Sequence, residues 1–532
     1  MKNLLVAFFV FLSLKSVAQQ CPIIPMPNQV QSVAGQFVLS NNTLVVLVGG
    51  TELGGTYLQQ QILKTTGLTL SIQPKANGPA ISLIIDDKVK QTNPEAYTLD
   101  IKPSGVKIAS ATAHGLFYGI TSLIQLVRLG TVKDNSIAIS CWNIKDEPRY
   151  TWRGLLLDES RHFWGKQTVK EILDWMAFYK LNKFHWHLTD EPAWRMEIKA
   201  YPMLTITGGV GSFSDKQLPA QYYTQEDIKE IVAYARERFI DVIPEIDMPG
   251  HATAANKAYP AFSGGGSAAH PEFTFNPGLD TTYTYLSKIL KETDALFPSQ
   301  MVHLGGDEVS FGNEKWKTDA SIQKLMQQNK LSDMLAVEHY FTKRMADTLF
   351  KLNNKLLLWD EAADSDLPPS KTIIFWWRHD KPEQLKKALD KGFSTVLCPR
   401  LPFYFDFMQD GAQRLGRKWQ GAFVPMDRLY KFTLDSLPIG KEQQKQILGV
   451  QAALWTEYIT TKAKLQYMLF PRITALAEVG WVNDSQKDLT QFHERVKAQI
   501  KLYQKDGLYY YDPFRPDQTP EPLSAKEIAN YR

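Results

Sequence analysis

The stretch Gly154-Leu155-Leu156-Leu157-Asp158 is an apolar run that stops on a carboxylate, and seven more runs of the same texture follow. A short apolar run bounded by polar residues reads as a buried strand. The second spans 183–188 and ends at Asp190, with His185 and His187 on one face because strand side chains alternate. The third spans 241–246 and ends at Asp247 to His251. The fourth, 301–304, ends at Asp307-Glu308, and the fifth, 355–358, at Trp359-Asp360-Glu361. The sixth, 372–375, ends at Trp376-Trp377-Arg378; the seventh spans 394–398; the eighth, 447–451, ends near Trp455-Thr456-Glu457. Helical spacing lies between them. The capping box Thr168-Val169-Lys170-Glu171 predicts a helix start ahead of Ile172, Leu173, Met176 and Tyr179, and Thr224 another ahead of Ile228, Ile231, Val232 and Ala235. Eight strand-helix units in roughly 330 residues predict an α/β fold, a (β/α)8 TIM barrel with insertions, whose site lies at the C-terminal strand ends. The polar clusters fall at those ends.

Upstream, residues 44–48 and 81–85 read as strands, 97–108 as a hairpin turning at Pro103-Ser104-Gly105, and 113–129 as a helix with Leu116, Ile120, Leu123 and Val127 on one face. They predict a small α+β scaffold domain over residues 19–148, ahead of a barrel over 149–500 and a C-terminal extension, 501–532, packing on it. Lys2, the apolar run 4–12 and Ser16-Val17-Ala18 predict a signal peptide over residues 1–18, and so a periplasmic or extracellular protein. Lipid anchoring through Cys21 is not expected, because Gln20 stands where such signals carry a small residue. Three cysteines are too few for a disulfide framework. With 60 basic and 56 acidic residues the chain is close to neutral, which gives no reason to expect nucleic acid. No stretch is long and apolar enough for a membrane span. The 13 Trp suit either a core or a surface that stacks sugar rings. The Gly-rich segment 263–267 follows no strand into a helix, as a phosphate loop would, and reads as a flexible loop near the site. The oligomeric state is not readable.

Two chemistries fit the strand ends. One is carboxylate and aromatic: Asp307 and Glu308, ringed by Asp158, Asp190, Asp247, Asp360, Asp406 and Glu457, with Trp359, Trp377 and Trp455 from three strands. Glycoside cleavage needs an acid for the leaving oxygen and something to stabilise positive charge at the anomeric carbon. The other is metallic: His185, His187, His251, His303 and an Asp resemble the start of a barrel metallohydrolase. Against it, the His pair lies on the second strand and there is no evident bridging Lys, so no metal or cofactor is expected. The alternative for the His pair is to orient carboxylates. Asp307 and Glu308 raise a geometric problem, since neighbouring strand residues point apart. Gly305-Gly306 would let the backbone break so that both face one pocket.

The run His303-Leu304-Gly305-Gly306-Asp307-Glu308 resembles the signature of family 20 glycoside hydrolases, the β-N-acetylhexosaminidases. The similarity extends along the chain, through Trp152-Arg153-Gly154, Leu157-Asp158 and Arg161-His162-Phe163, then 185–190, Glu245 to His251, and Trp455-Thr456-Glu457. The domain before residue 148 is similar to the one that usually precedes this barrel. The resemblance implies exo-acting removal of a terminal N-acetylhexosamine from a glycan by substrate-assisted, retaining catalysis, in which the 2-acetamido oxygen attacks the anomeric carbon to give an oxazolinium. It makes Glu308 the general acid and then base, with a pKa above the usual ~4.3 for Glu, and Asp307 the acceptor of the acetamido N–H. Tyr404 would hydrogen-bond the acetamido oxygen. Trp359, Trp377 (chosen over Trp376 because it precedes Arg378) and Trp455 would box the sugar, and Arg161, Asp406 and Glu457 would grip its hydroxyls. Asp190, Asp247, His251 and His303 would support the pair; for Arg161 and His251 a purely structural salt bridge is the competing reading. Glu191-Pro192-Ala193-Trp194 departs from the family's Asp-Gln-Gly-Trp, which puts loop shape and subsite preference in question. A metal-dependent barrel hydrolase and a catalytically silent glycan-binding protein stand as alternatives.

Overall fold

The computed structural model describes residues 20–86, 93–524 and 527–528, so the signal-peptide reading over 1–18 lies outside the described residues. The first domain is a mixed eight-stranded sheet. Its long strands Gln29–Leu39 and Ser136–Asp146 pair antiparallel, and the expected hairpin, Tyr97–Lys102 with Gly105–Ser110, links them to Ala80–Ile85, Leu44–Val48 and Ser71–Ile72. Helix Ala113–Arg128 starts where Thr112 Oγ1 accepts from Gly115 N at 3.1 Å. It is buried from Gly115 through Val127 because it is covered twice. On one side a Cβ at Gly119 would meet Ile108 Cγ2 at 2.4 Å; on the other, Gln125 Nε2 donates to Phe178 O of the barrel at 2.7 Å.

Eight parallel strands then close a barrel: Trp152–Asp158, Lys183–His187, Asp241–Glu245, Met301–His303, Lys355–Trp359, Thr372–Trp376, Ser394–Leu397 and Ile447–Leu454. The last pairs with the first, from Gly449 beside Trp152 to Leu454 beside Leu157. The helices depart further from expectation. The first runs Gly165–Phe178, starting ahead of the Thr168 capping box. Trp164 fixes the earlier start, its amide donating to Glu159 Oε2 at 2.7 Å and its indole to Asp158 O at 3.1 Å. Glu171, freed from capping, pairs with Lys462 at 2.6 Å. Thr224 does cap Gln225–Arg236, in a reciprocal box with Asp227. The fifth connection, residues 360–371, holds two 3-10 turns and no α-helix; the seventh begins with a four-residue helix, Arg400–Phe403, and a long loop. The Gly-rich segment is no flexible loop. Ser263–Gly265 pairs with Thr274–Phe275, and a Cβ at Gly266 would lie 2.0 Å from His270 O, so these glycines serve close backbone approach. The expected break at residue 500 falls inside one continuous helix, Leu489–Lys505. Beyond it the chain lies along the barrel, with Tyr511 OH donating to Asp410 at 2.5 Å and Lys464 bound to Glu521. No helix among the described residues is long and apolar enough to cross a membrane.

A buried ionic joint locks the domains together. Arg153, on the first barrel strand, gives its guanidinium to Glu95 Oε2 at 2.5 Å, Tyr118 OH at 2.8 Å, Tyr150 O at 2.6 Å and Lys180 O at 2.8 Å. Lys180 in turn meets Asp146 at 3.0 Å, which also accepts from Trp481 Nε1 at 2.8 Å. Removing one partner of a buried pair strands the other charge, at about 3–5 kcal/mol. Glu95→Ala is therefore expected to lower unfolding stability by about 3 kcal/mol or more, measured by denaturant titration; an unchanged midpoint would show that the joint contributes nothing.

Candidate active site

The fourth strand stops at His303, and the next residues turn sharply. Gly305 and Gly306 sit at φ +66° and +82°, and Glu308 at +52°. The reversal brings both Asp307 and Glu308 to one pocket, as the sequence required. Gly305 has no room for a side chain, because a Cβ there would lie 2.2 Å from Asp247 Oδ1. At Gly306 the nearest contact would be Leu358 Cδ2 at 3.2 Å.

The pocket is lined by Arg161, His187, Asp190, Asp247, His251, Asp307, Glu308, Trp359, Trp377, Tyr404, Arg417, Trp455 and Glu457. The aromatic wall spans four strand ends: Trp377 stacks on Tyr404 at 6.5 Å and 11°, Tyr404 meets Trp455 at 6.2 Å, and Trp455 meets Trp359 at 6.2 Å. Trp376 points the other way, into the outer core, with its indole on Lys381 O at 3.3 Å. Burial pushes the Tyr404 phenol well above its ordinary range, so it stays a protonated donor.

Asp190 is the node of the charged wall. Its carboxylate meets Arg161 Nη1 at 2.8 Å, His187 Nε2 at 2.9 Å and His251 Nδ1 at 3.0 Å. Burial would raise its pKa, but Arg161 and His251 hold it well below the carboxylate range. His251 Nε2 then lies 3.6 Å from both Asp307 Oδ2 and Glu308 Oε2. Asp307 is pushed up to about 7, first by burial and then by the neighbouring Glu308 charge, against the pull of His251. Asp247 is raised well above its usual value by burial and by Glu245.

Two expected site residues stand behind the wall. His303 lies beneath the pocket, its Nδ1 2.9 Å from Glu245 Oε1. Asp406 is buried behind Arg417, whose Nε is 3.1 Å away; burial lifts it to about 7 despite that cation. Arg417 was not legible in the sequence. It lies in the irregular loop after the seventh strand and reaches Glu457 Oε1 at 2.8 Å. Glu361 and Glu338 form a second acidic layer. Glu361 accepts from Trp377 Nε1 at 3.0 Å and faces Arg378 at 3.3 Å, while burial and the charge of Asp307 push Glu338 up to about 8. Trp194 is buried with its indole on Met196 O and does not reach the pocket.

Four trios of histidine and carboxylate atoms among the described residues lie close enough to hold a metal. In the three trios that contain His187 or His251 the histidine argues against it. His187 gives both ring nitrogens to carboxylates, Nδ1 to Glu245 at 2.6 Å and Nε2 to Asp190 at 2.9 Å. Burial would lower its pKa, yet Glu245 and Asp247 raise it well above the ordinary value, and the same balance of burial against Asp190 and Asp307 raises His251. An imidazolium has no lone pair to offer. His187 thus orients carboxylates, and His185 lies 3.1 Å from the same Glu245.

Paired carboxylates against an aromatic wall at the mouth of a closed barrel define a carbohydrate-processing hydrolase. Family models for the glycosyl hydrolase family 20 catalytic domain and domain 2 match residues 150–484 and 20–147. The chain is 32% identical over 512 residues to a beta-hexosaminidase of Porphyromonas gingivalis, covering 93% of this chain and 65% of that one. It is 33% identical over 483 residues to a beta-hexosaminidase of Vibrio furnissii, covering 86% and 76%. The solved exo beta-N-acetylglucosaminidase of Vibrio harveyi in complex with N-acetylglucosamine superposes with a TM-score of 0.86 at 31% identity, over 93% of this chain and 79% of that one. The chain belongs to glycosyl hydrolase family 20.

The turn at 305–308 yields a stability prediction. Gly305→Ala is expected to cost about 2–4 kcal/mol from left-handed strain and overpacking, and Gly306→Ala only about 1–2 kcal/mol from strain. Thermal unfolding of the two variants reads the difference; equal losses would refute the role of the Asp247 contact.

Proposed function

We propose that the protein is an exo-acting β-N-acetylhexosaminidase that releases terminal N-acetylglucosamine or N-acetylgalactosamine from glycans through an oxazolinium intermediate. The observation that carries the reading is the turn at 305–308, which sets Asp307 and Glu308 side by side against the aromatic wall. Glu308 protonates the leaving oxygen and later takes a proton from water, a role its 31% exposed side chain suits. Asp307, at 18% exposure, accepts the acetamido N–H and stabilises the charge that develops on that group. Tyr404 donates to the acetamido oxygen, and Trp359, Trp377 and Trp455 enclose the ring. Arg161 and Glu457 meet the hydroxyls directly, with Arg417 between Asp406 and the sugar. The names of the relatives and the occupied Vibrio harveyi structure support this assignment.

We infer export to the periplasm or beyond from the leader-like residues 1–18. Cys21 is buried beside Ile23 and Ile24 in the core, which supports a protein not anchored through that thiol.

Glu308→Gln is expected to cut release of nitrophenol from its N-acetylglucosaminide by about 10²-fold or more; full activity in that variant would sink the assignment. A thiazoline mimic of the oxazolinium should compete with substrate and bind far more tightly than N-acetylglucosamine, and indifference to it would point to a protein nucleophile instead.

A further inference from the structure

The ion pair of Arg417 and Glu457 in the pocket wall is anchored on both flanks by the last described residues of the chain. Arg417 lies in an irregular loop whose neighbours Gly411, Ala412, Arg414 and Lys418 are exposed, so packing alone does not fix it. Glu521 does. Its Oε2 accepts from Arg414 N at 2.6 Å and its Oε1 from Leu415 N at 3.1 Å. The buried Lys464 bonds the same carboxylate and donates to Leu415 O at 3.0 Å. Gly416 follows at φ +145°, where a Cβ would lie 2.8 Å from Asp406 O. Arg417 then donates its amide to Asp406 O at 2.9 Å and accepts from Met408 N at 3.1 Å. The chain thus has no slack between the point that Glu521 holds and the residue that lines the pocket. On the other flank Glu527 Oε1 accepts from Thr460 Oγ1 at 2.9 Å, three residues beyond Glu457.

We infer that Glu521 is a positioning residue for the substrate: it fixes residues 414–415 and so sets Arg417 where its guanidinium meets the sugar hydroxyls. The inference rests on the reading of Arg417 as a hydroxyl contact. The Arg417 side chain is 46% exposed, and a long side chain with that freedom loses much rotamer entropy when it is held in one place. It can serve a hydroxyl in a fixed place only if its backbone is already fixed. The competing view is that Lys464 and Glu521 merely dock the C-terminal segment on the barrel. A buried pair does need its partner, but docking alone would ask nothing of the loop. Here three of the bonds made by the pair go to the backbone of Arg414 and Leu415. Burial pulls the Lys464 ammonium below its ordinary range against the hold of Glu521. The loop therefore rests on a pair whose two members have no solvent to turn to.

A double-mutant cycle in the full-length protein tests this, with KM and kcat read on nitrophenyl N-acetylglucosaminide. Glu521→Ala is expected to raise KM about fivefold, the loss of roughly one hydrogen bond to the substrate, with kcat nearly unchanged. In an Arg417→Ala background the same substitution should raise KM no further, because its route to the sugar is gone. Glu521→Gln keeps one acceptor for the loop amides. It should give a smaller rise with the same dependence on Arg417, and it carries the test if Glu521→Ala does not fold. A rise of equal size in both backgrounds refutes the positioning role and leaves Glu521 a structural tie. If Arg417→Ala raises KM while neither Glu521 variant does, the inference alone fails. If Arg417→Ala leaves KM unchanged, the hydroxyl reading of Arg417 fails and takes the inference with it.

Discussion

A single buried carboxylate, Glu245, organises the centre of this barrel. It is fully enclosed, and a charge in that position is costly unless it is paired and hydrogen-bonded. Here four groups converge on it: His185 at 3.1 Å, His187 at 2.6 Å, His303 at 2.9 Å and the Trp359 indole at 2.8 Å. Burial alone would protonate Glu245, but His303, His187 and His185 hold its pKa well below the ordinary value. The anion thereby fixes residues from the second, fourth and fifth strands. Trp359 is fixed as part of the wall and His187 as the link to Asp190.

From Glu245 the charges alternate outward. Glu245 meets His187, His187 meets Asp190, Asp190 meets His251, and His251 faces Asp307 and Glu308. Each member is oriented by the one behind it, so the carboxyl pair depends on an anion well below the pocket. The string also accounts for backbone strain. His251 and Glu308 both sit at positive φ without being glycine, at +53° and +52°. Such residues cost roughly 1–3 kcal/mol each and persist where surroundings over-determine them. Asp190 and Phe273 hold His251 in place, and the turn of 309–311 holds Glu308.

Much of this was legible because particular residues leave few alternatives. A polar residue after each apolar run marks a strand end, and two glycines before two carboxylates mark a place where the backbone must reverse. Glu245 was legible only as part of a motif, because nothing in a strand's own pattern says that a carboxylate inside it will meet three histidines from elsewhere. Its parity with Ile243 and Asp247 was the available signal. Arg417 had none, since its loop has no periodicity and its position follows from main-chain pairing with Asp406 and Met408. The Thr168 capping box misled for a similar reason. Its pattern was sound locally, but the contacts of Trp164 set the helix start four residues earlier. The fifth connection broke the expected alternation, with two 3-10 turns carrying Glu361 to Trp377 in place of a helix.

The two adjacent carboxylates differ in environment more than in chemistry, and that difference divides their work. Asp307 faces inward, against His251 and close to where a Gly305 side chain would be, and burial dominates its pKa. An inward carboxylate can orient a bound group but exchanges protons poorly with solvent. Glu308 faces the mouth, with nearly twice the exposure. It can meet a leaving oxygen on one half of the reaction and a water on the other. A strand continued through 305–308 would have sent one of the pair into the barrel wall. The left-handed turn keeps both in the pocket yet at unequal depth, and a mechanism in which one carboxylate moves protons while the other holds the substrate's own nucleophile needs that inequality.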